Sequence, residues 1–537
     1  MADAVVIGSG PNGLVAANFL ADAGWEVVVL EAADAPGGAV RTAELTAPGF
    51  RNDVFSAFYP FGAASPPLQA LQLDRHGLEW THAPTVLAHP TGDGRVAVLH
   101  RDPDITAASL DDYHRGDGAA WRELLEQWEA VRDPLLAALF RPFPPVRPGA
   151  ALLRRLGTAD MLRLARFMVL PVRRMAEERF GGEGAAVLLA GNALHTDLGP
   201  DSAASGAFGW LLSMLGQTVG FPVPVGGAGA LTDALVARLA GVGGEVVCNA
   251  PAATVVVRQG RAVAVRTVDG REVPATKAVL AAVDAPQLFG SLVPAEHLPP
   301  RLVSDLDRFQ WDNSTVKVDW ALSGPIPWSD ARIRDAGTVH LGGGLDRLSG
   351  YAHELTVSAV PDDPYCVVGQ MTTSDSSRSP AGTESAWAYT HVPQVVNSDA
   401  GDDDITGRWD GREVAAVAAR IETAIERLAP GFTDLVIERH LLGPHEFQGR
   451  DRALHLGALN GGTAAIHQQL FWRPFPGLGR PETPVQRLYL ASMSAHPGGG
   501  VHGGPGANAA QVALRDAGSL GTVRRSAVGR TLRALYR

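Results

Sequence analysis

The sequence predicts an α/β fold that opens with a parallel βαβ unit. An apolar run at residues 4–7 leads into a glycine turn, and the alanine-rich residues 14–23 have the composition of a packed helix. A second apolar run, residues 27–30, follows at the spacing of the next parallel strand and ends at Glu31. Strand, glycine turn, helix, strand and acid in this order are typical of a Rossmann-type domain.

The glycine turn has the spacing of a dinucleotide-binding turn. Gly8 permits a tight bend, Gly10 lets the backbone approach a diphosphate, and Gly13 lets the helix pack on the strand. The helix N-terminus presents free N–H groups and the positive end of its dipole to the phosphates. Glu31 lies where a carboxylate would bind a ribose hydroxyl. The residues of this unit predicted to bind a dinucleotide are Gly8, Gly10, Pro11, Asn12, Gly13 and Glu31.

A second glycine pair, Gly37 and Gly38, follows the acid and is itself followed by Arg41. An NAD-binding domain has no need of this pair. FAD enzymes often have it, because the chain there passes close to the diphosphate and the ribityl arm. The chain carries one dinucleotide fingerprint, so FAD is predicted, and NAD(P) as the sole cofactor is the less favoured alternative.

Residues 30–42, together with Pro48-Gly49-Phe50, resemble the phytoene-desaturase-related FAD-dependent oxidoreductases. The resemblance is strongest to the subgroup named pyridine nucleotide-disulfide oxidoreductase domain-containing protein 2, and it covers nearly the whole chain. It implies a Rossmann-type FAD-binding domain of the glutathione-reductase/amine-oxidase class with an inserted α+β substrate domain. It also implies that Gly37, Gly38 and Arg41 bind FAD.

The C-terminal segment carries the same resemblance. A strand-like run at 487–492 is followed by a glycine-rich loop and by an alanine-rich helix from about Ala507. In the family this helix end lies under the flavin ring, where it would stabilise negative charge on reduction. The resemblance also implies that a valine near the adenine binds through its backbone. The residues assigned to FAD in this way are Val255, Ser492, Gly499, Gly500 and Val501.

The nucleotide-binding motifs are spread over three parts of the chain. The FAD-binding domain is predicted to consist of residues 1–70, 220–290 and 440–520, with a substrate domain built from residues 75–220 and 295–440. The first inserted stretch has a mostly helical pattern, and the second mixes β-like runs with a helix near residues 413–428. Residues 521–537 form a basic C-terminal tail.

Composition excludes several classes of protein. The net charge of −11 over 537 residues gives no support to nucleic-acid binding. Cys248 and Cys366 lack the spacing of a redox disulfide or a metal cluster, although the subgroup's name mentions disulfide oxidoreductases. There is no apolar run of about eighteen residues that would span a membrane. The first strand begins almost at Met1, which leaves no room for a signal peptide, so a cytoplasmic location is expected.

Basic charge is concentrated in residues 152–179 and 517–537, where arginines are interspersed with apolar residues. Basic amphipathic helices can lie on a membrane surface, and carotenoid desaturases of this fold take lipid substrates, so peripheral membrane contact is one interpretation. The favoured alternative is a solvated helix face over the substrate cavity together with a loose tail.

Three residues are candidates for catalysis. The chain has 46 Lys and Arg residues, of which only Lys277 and Lys317 are lysines, and lysine provides a compact ammonium with an adjustable pKa. Lys317 lies in an alternating strand that resembles the flavin amine oxidase strand whose lysine holds a water near flavin N5. We therefore hypothesise that Lys317 points at the flavin and assists hydride transfer or oxygen handling. A lysine on the wet face of a strand is the equally weighted alternative.

His496 and His502 flank the C-terminal glycine loop and could hydrogen-bond the flavin or act as acid or base. Purely structural roles are slightly favoured for both. His195 and Asp197 are interpreted as a helix–loop junction.

The predicted function is that of an FAD-dependent oxidoreductase. It would remove a hydride and a proton from a largely apolar small molecule, and oxygen, a quinone or another acceptor would reoxidise the flavin. A flavin amine oxidase is the alternative that Lys317 favours. A non-catalytic binding protein on a flavoenzyme-like scaffold is the alternative from another class, and the intact phosphate turn argues against it.

Overall fold

A computed structural model of the protein describes residues 1–477 and 479–536, without the side chains of Thr522 and Arg533. Arg537 of the predicted basic tail therefore lies outside the described residues, as does the side chain of Arg533. In this part of the chain, no helix combines the length and the apolar character needed to cross a bilayer.

The strands are short and are distributed along the whole chain. They are β1 (Ala2–Ile7), β2 (Val27–Leu30), β3 (Thr42–Ala43), β4 (Asn52–Asp53), β5 (Trp80–Thr81), β6 (Thr85–Pro90), β7 (Val96–Leu99), β8 (Val223–Pro224), β9 (Glu245–Val247), β10 (Ala252–Arg258), β11 (Arg261–Thr267), β12 (Glu272–Ala281), β13 (Ser314–Leu322), β14 (Ala336–Leu341), β15 (Ala359–Val360), β16 (Cys366–Gln370), β17 (Glu384–Val392), β18 (Ser398–Asp399), β19 (Val436–Leu442) and β20 (Leu488–Leu490).

The helices are α1 (Pro11–Asp22), α2 (Pro60–Ala64), α3 (Pro66–Ala70), α4 (Pro103–Asp111), α5 (Asp117–Leu139), α6 (Val146–Val169), α7 (Val172–Glu177), α8 (Gly184–Leu194), α9 (Ser205–Thr218), α10 (Gly229–Gly241), α11 (Ala285–Gln287), α12 (Pro300–Leu306), α13 (Ala331–Arg334), α14 (Leu345–Thr356), α15 (Met371–Ser374), α16 (Gly411–Glu426), α17 (Pro444–Arg450), α18 (Gly504–Ala517) and α19 (Gly521–Leu535). The longest uninterrupted run of helices, α4 to α9, lies between β7 and β8.

The first sheet has the order β10-β11-β12-β1-β2-β9, with β20 beside β12. The β1 strand pairs in parallel with β2 and β12, and β20 pairs in parallel with β12. Val5 and Val6 are fully buried on opposite faces of β1, which explains the uninterrupted apolar run at residues 4–7. Helices α1, α10 and α18 pack on one face of this sheet. The predicted α/β architecture with a Rossmann-type unit is confirmed.

The second sheet has the order β19-β13-β17-β16-β14-β6-β7. It is antiparallel except where β14 runs parallel to β6. Its strands come from residues 85–99 and 314–442, so β19 straddles the boundary predicted at residue 440. The domain boundaries themselves stay predictions. The β13 strand is buried along its whole length, which places Lys317 in the interior.

The basic segments form helices. The segment 152–179 is divided between α6 and α7, because Leu170 adopts an extended conformation before Pro171, as residues that precede proline prefer. The C-terminal segment is a docked helix, not a loose tail, which corrects that expectation. Leu532 of α19 and Tyr536, directly after the helix, are buried against the first sheet's core, and Arg524 forms ion pairs with Glu482 and Asp516.

Candidate cofactor and substrate site

In the turn between β1 and α1, the backbone lies so close to neighbouring atoms that two positions require glycine. Gly8 has φ +91°, and a Cβ on it would lie 3.3 Å from the carbonyl oxygen of Ala282. A Cβ on Gly13 would lie 2.0 Å from the carbonyl oxygen of Gly8, so only glycine lets α1 pack on the turn. Gly10 faces open space, and no side chain caps α1. The first N–H groups of the helix are thus left for a ligand.

Glu31, at the end of β2, organises this turn. Its Oε2 accepts hydrogen bonds from the N–H of Ser9 at 2.8 Å and from its hydroxyl at 2.6 Å. Its Oε1 accepts a bond from the N–H of Ala33 at 2.8 Å. A carboxylate has about four acceptor positions, so Glu31 retains lone pairs for a ribose hydroxyl.

A cavity of about 370 Å³ opens beside this turn, and we call it the dinucleotide cavity. Residues 449–454, which the sequence analysis did not assign to the site, form part of its wall. The predicted cofactor residues that line it are Gly8, Gly10, Pro11, Asn12, Gly13, Glu31, Gly38, Arg41 and Ser492.

The second glycine pair lies directly against the first turn. A Cβ on Gly38 would lie 3.0 Å from the Cα of Gly10. The N–H of Gly37 donates a hydrogen bond to the carbonyl of Ser9 at 3.2 Å. Gly37 itself does not line the dinucleotide cavity. The Arg41 guanidinium donates to the carbonyls of Gly38, at 2.9 Å, and Arg450, at 3.0 Å. The second glycine pair therefore packs directly against the first glycine turn, and we call these two segments together the cradle.

Val255 is not part of this cradle. It is fully buried in the core under β10 and lines neither cavity of the site. The same strand reaches the dinucleotide cavity at Pro251 and Ala252, a few residues earlier. Because the contact predicted for Val255 is made through its backbone, burial of its side chain does not test it, and the assignment stays a prediction.

The C-terminal glycine loop meets the N-terminal turn through a helix contact. A Cβ on Gly506, in the first turn of α18, would lie 1.9 Å from the carbonyl oxygen of Asn12. The start of α18 therefore lies directly on the start of α1. Gly499, Gly500 and Val501 line a second cavity of about 300 Å³, which Pro11 and Asn12 also border.

We call this second space the apolar cavity, because aromatic and aliphatic side chains dominate its wall. The ring planes of Trp387 and Tyr389 are parallel to within 18°, with centroids 5.9 Å apart. None of the described residues that line it is an aspartate or a glutamate, and Lys317 is its lysine. Its large apolar lining residues are Phe55, Phe58, Phe61, Leu212, Phe221, Val367, Trp387, Phe447, Leu454, Leu459 and Met493.

Lys317 lies in the wall of the apolar cavity but is tied to a neighbour. Its side chain is 2% exposed, and its Nζ lies 2.5 and 2.6 Å from the two carboxylate oxygens of Asp319. It also donates to the carbonyl of Asp53 at 3.0 Å. Burial raises the pKa of the Asp319 carboxyl, and the Lys317 charge opposes this shift. The alternative that Lys317 lies on a solvent-exposed strand face is therefore wrong. Its proposed role in hydride transfer or oxygen handling stays a prediction.

Neither histidine of the C-terminal loop lines a cavity of the site. His502 accepts a hydrogen bond at Nδ1 from the N–H of Gly504 at 3.0 Å, so its Nε2 carries the proton and donates to the carbonyl of Gly499 at 3.3 Å. His496 is buried with its ring edge-on to Phe143. Burial lowers the pKa of each histidine to about 4. Both are thus neutral near pH 7, and their catalytic roles stay predictions.

One corner of the apolar cavity is polar, and its residues could not be connected from the sequence. His195 lines the cavity at the end of α8, and its Nε2 lies 2.8 Å from the Nε2 of His340 on β14. The Tyr389 hydroxyl lies 3.3 Å from the Nδ1 of His195. Burial lowers the pKa of His195 to about 3 and that of His340 well below its usual value. No sequence pattern joins residues so far apart along the chain.

The residues of the cradle fit a bound FAD. Gly10 leaves open space where any other side chain would project, and the buried Oδ1 of Asn12 has no hydrogen-bond partner among the described residues. Asn12 borders both cavities, so a ligand that extends from one to the other would pass it. The fold and this site define the class: a dinucleotide-dependent protein with an apolar cavity beside the dinucleotide site.

Comparisons with known proteins give the family. Residues 12–512 match the family described as flavin containing amine oxidoreductase, and the chain belongs to it. FAD is therefore the cofactor, and the predictions of a flavin-dependent oxidoreductase and of its structural class are confirmed.

Two relatives and one solved structure illustrate the similarity. The chain is 28% identical to the mouse pyridine nucleotide-disulfide oxidoreductase domain-containing protein 2, over 96% of this chain and 93% of that protein. It is 26% identical to a neurosporene-forming phytoene desaturase of Rhodobacter capsulatus, over 93% and 91%. A putrescine oxidase structure with bound putrescine superposes with a TM-score of 0.59 at 18% identity, over 96% and 98%. The predicted resemblance is confirmed.

Proposed function

We propose that this protein is an FAD-dependent dehydrogenase of the desaturase type that takes a hydride and a proton from a largely apolar small molecule and leaves a double bond. Oxygen, a quinone or another acceptor would reoxidise the flavin. The similarity to a phytoene desaturase supports this class of reaction. FAD, when bound, supplies the hydride acceptor, and the protein supplies binding and orientation.

The charge of the apolar cavity is the observation that carries the proposal. No described residue of its wall is a carboxylate, and the Lys317 charge is already paired with Asp319. An aliphatic amine is a cation near neutral pH, and burying it without a counter-ion is unfavourable. An uncharged, apolar substrate has no charge that must be removed from water, and contact with Phe55, Phe58 and Trp387 would stabilise it in the cavity.

One observation favours the flavin amine oxidase alternative. The stacked pair Trp387 and Tyr389 presents aromatic rings to the cavity, and such rings attract cations. Lys317 already lies 6.0 Å from the centroid of Trp387, so its own charge competes for that ring. The apolar substrate is therefore the better supported of the two.

The protein's own groups would divide the remaining work. Lys317 would keep a fixed positive charge in the cavity wall, where it favours negative charge that develops on the cofactor. Its N–H groups are occupied by Asp319 and Asp53, so it is a poor acceptor for the departing proton. The neutral corner of Tyr389, His195 and His340 is connected by hydrogen bonds and starts at the cavity. Because burial lowers the pKa of His195 to about 3, this corner is a weak base; it would orient the substrate, and the departing proton would go to water.

The first experiment is an absorption spectrum of the purified protein, with the released cofactor identified by mass. The bound flavin is then titrated without oxygen with phytoene in detergent micelles and, separately, with putrescine. We expect phytoene or another apolar alkene to bleach the flavin band. Bleaching by putrescine alone would contradict the proposal and favour an amine oxidase. A protein that binds no FAD would favour the non-catalytic alternative.

We also propose that the substrate is reached at a membrane surface, with the protein bound there peripherally. Val146, Leu153, Leu162 and Val169 are exposed along α6, beside the arginines of the same helix. Flotation with vesicles that contain anionic phospholipid tests this contact, and protein that stays at the bottom of the gradient at low salt would argue against it.

A further inference from the structure

Asp451 places a carboxyl group in the wall of the dinucleotide cavity, beside Gly38. A Cβ on Gly38 would lie 3.2 Å from the Oδ2 of Asp451 and 3.0 Å from the Cα of Gly10. The carboxyl therefore borders the same gap as the two glycines that let the backbone approach a diphosphate. Its Oδ1 accepts a hydrogen bond from the N–H of Ala453 at 3.0 Å, while Oδ2 faces the cavity.

This position is unusual for an acid. A diphosphate carries negative charge, and an ionised carboxylate beside it in a partly dehydrated cavity would repel it strongly. The helix start at Pro11 and the free N–H groups near it favour an anion at the same place. Both conditions are met when the carboxyl is neutral, because its O–H can then donate to a phosphate oxygen.

We propose that Asp451 binds the FAD diphosphate as a neutral carboxylic acid, so that the protein takes up one proton when it binds FAD. The proton comes from the solvent and stays on Oδ2, between the carboxyl and a phosphate oxygen. The inference rests on FAD binding and is independent of the substrate, so it holds or fails separately from the dehydrogenase proposal.

The surroundings of Asp451 support a neutral form. Burial raises the pKa of its carboxyl, the N–H of Ala453 and the charge of Arg41 oppose this shift, and the charge of Glu31 adds to it. A bound diphosphate would raise the pKa further. The charged or titratable groups around it are Glu31, Arg41, Asp284, Arg450 and Arg452.

The pH dependence of FAD affinity follows from the protonation of Asp451. The carboxyl is protonated more readily in the complex than in the free protein, so FAD affinity is highest below the pKa of the free protein's carboxyl. Above that pKa the affinity falls by about tenfold per pH unit, until the pKa of the complex is reached.

The test compares the wild-type protein, stripped of FAD, with Asp451→Asn between about pH 6 and about pH 9. Titration calorimetry in buffers of different ionisation enthalpy gives both the dissociation constant and the number of protons taken up. We expect the wild type to take up close to one proton at pH values between the pKa of the free protein's carboxyl and that of the complex, and Asp451→Asn to take up about one fewer at the same pH. The variant should also bind FAD more tightly than the wild type at high pH.

Asn12→Ala is the matched control, because Asn12 lines the same cavity and its side chain carries no titratable group. We expect it to weaken FAD binding by a similar factor at every pH and to leave the proton count at the wild-type value. If Asp451→Asn instead weakens FAD binding equally at all pH values, or takes up as many protons as the wild type, Asp451 acts as an ionised acceptor and the proposal is overturned.

Discussion

Lys317 and Asp319 form a buried ion pair in the wall of the apolar cavity. A second pair, Asp53 and Arg378, is fully buried with its side chains 2.7 Å apart and contacts the first through the Asp53 carbonyl. Removing one member of such a pair leaves an uncompensated charge away from water, which is costlier than replacing both. Lys317 therefore has a structural role in addition to the proposed role toward the flavin.

We predict that Lys317→Met lowers the free energy of unfolding by about 3 kcal/mol near neutral pH. Burial already raises the pKa of Asp319, and without Lys317 the carboxyl protonates more readily still. Because the folded protein then holds a proton that the unfolded chain has released, the loss grows as the pH rises above about 4 and shrinks toward acid pH. Urea unfolding at several pH values measures this.

Lys277→Met is the matched control at the residue scale. Lys277 is 40% exposed, and its pair with Asp3 spans 3.0 Å at the surface. Surface pairs contribute about 0.5 kcal/mol, so this variant should unfold almost like the wild type at every pH. Equal losses for the two lysine variants would contradict the buried-pair interpretation. If Lys317→Met changes neither flavin reduction nor reoxidation, the catalytic part of the Lys317 hypothesis is wrong.

Residue chemistry was predictable where the relevant neighbours are close along the chain. The roles of Gly8, Gly10, Gly13 and Glu31 follow from one short segment, and their geometry is consistent with the predicted cradle. Asp451 could not be found this way, because its significance depends on contact with Gly38, far away along the chain.

Helices α1 and α18 depend on one glycine for their contact. The Gly506 Cα lies against the carbonyl of Asn12, so any side chain at this position pushes the two helix starts apart. These helices carry the N–H groups of the dinucleotide turn and the loop of Gly499, Gly500 and Val501. Close packing here connects the two ends of the cofactor site.

We predict that Gly506→Val abolishes tight FAD binding and lowers the melting temperature, because its Cβ would overlap backbone that cannot move freely. Gly241→Ala is the control, since a Cβ at the end of α10 meets nothing within 4 Å and alanine is the better helix former. The retained flavin absorbance per protein after gel filtration measures the effect. A Gly506→Val protein that keeps its flavin would contradict the prediction.

Element positions were predictable where the pattern is strong and local. The alternating run around Lys317 predicts a strand, and β13 spans Ser314–Leu322. The mostly helical pattern of residues 75–220 predicts helices there, and the long helix α5 spans Asp117–Leu139. The docking of α19 was missed because composition shows its arginines, whereas the buried Leu532 and Tyr536 have meaning only against the core they contact.

The two sheets share the wall of one continuous site. The dinucleotide cavity lies at the carboxyl ends of β1 and β2 in the first sheet. The apolar cavity is bounded by β13, β14, β16 and β17 of the second sheet. Asn12 borders both cavities. A cofactor held there contacts both halves of the molecule. Its binding energy is therefore available to stabilise the whole fold.

We predict that FAD at about one hundred times its dissociation constant stabilises the stripped protein by about 2.7 kcal/mol. For a chain of this size that corresponds to a rise in melting temperature of about 2 to 3 °C. Far-ultraviolet circular dichroism and released flavin fluorescence should report one coincident transition. Flavin release well below the unfolding temperature would show that the cofactor does not couple the two halves. Adenosine diphosphate is the control, because it can occupy only the dinucleotide cavity.

The order of strands in the first sheet has a consequence for biosynthesis. The sheet joins β1 and β2 from the start of the chain with β12 from its middle and β20 near its end, and Gly506 then closes α18 onto α1. On the ribosome, the first βαβ unit emerges long before its partners exist. The growing chain thus carries an unfinished phosphate turn through most of translation. Flavin capture is a late event, and it coincides with completion of the fold.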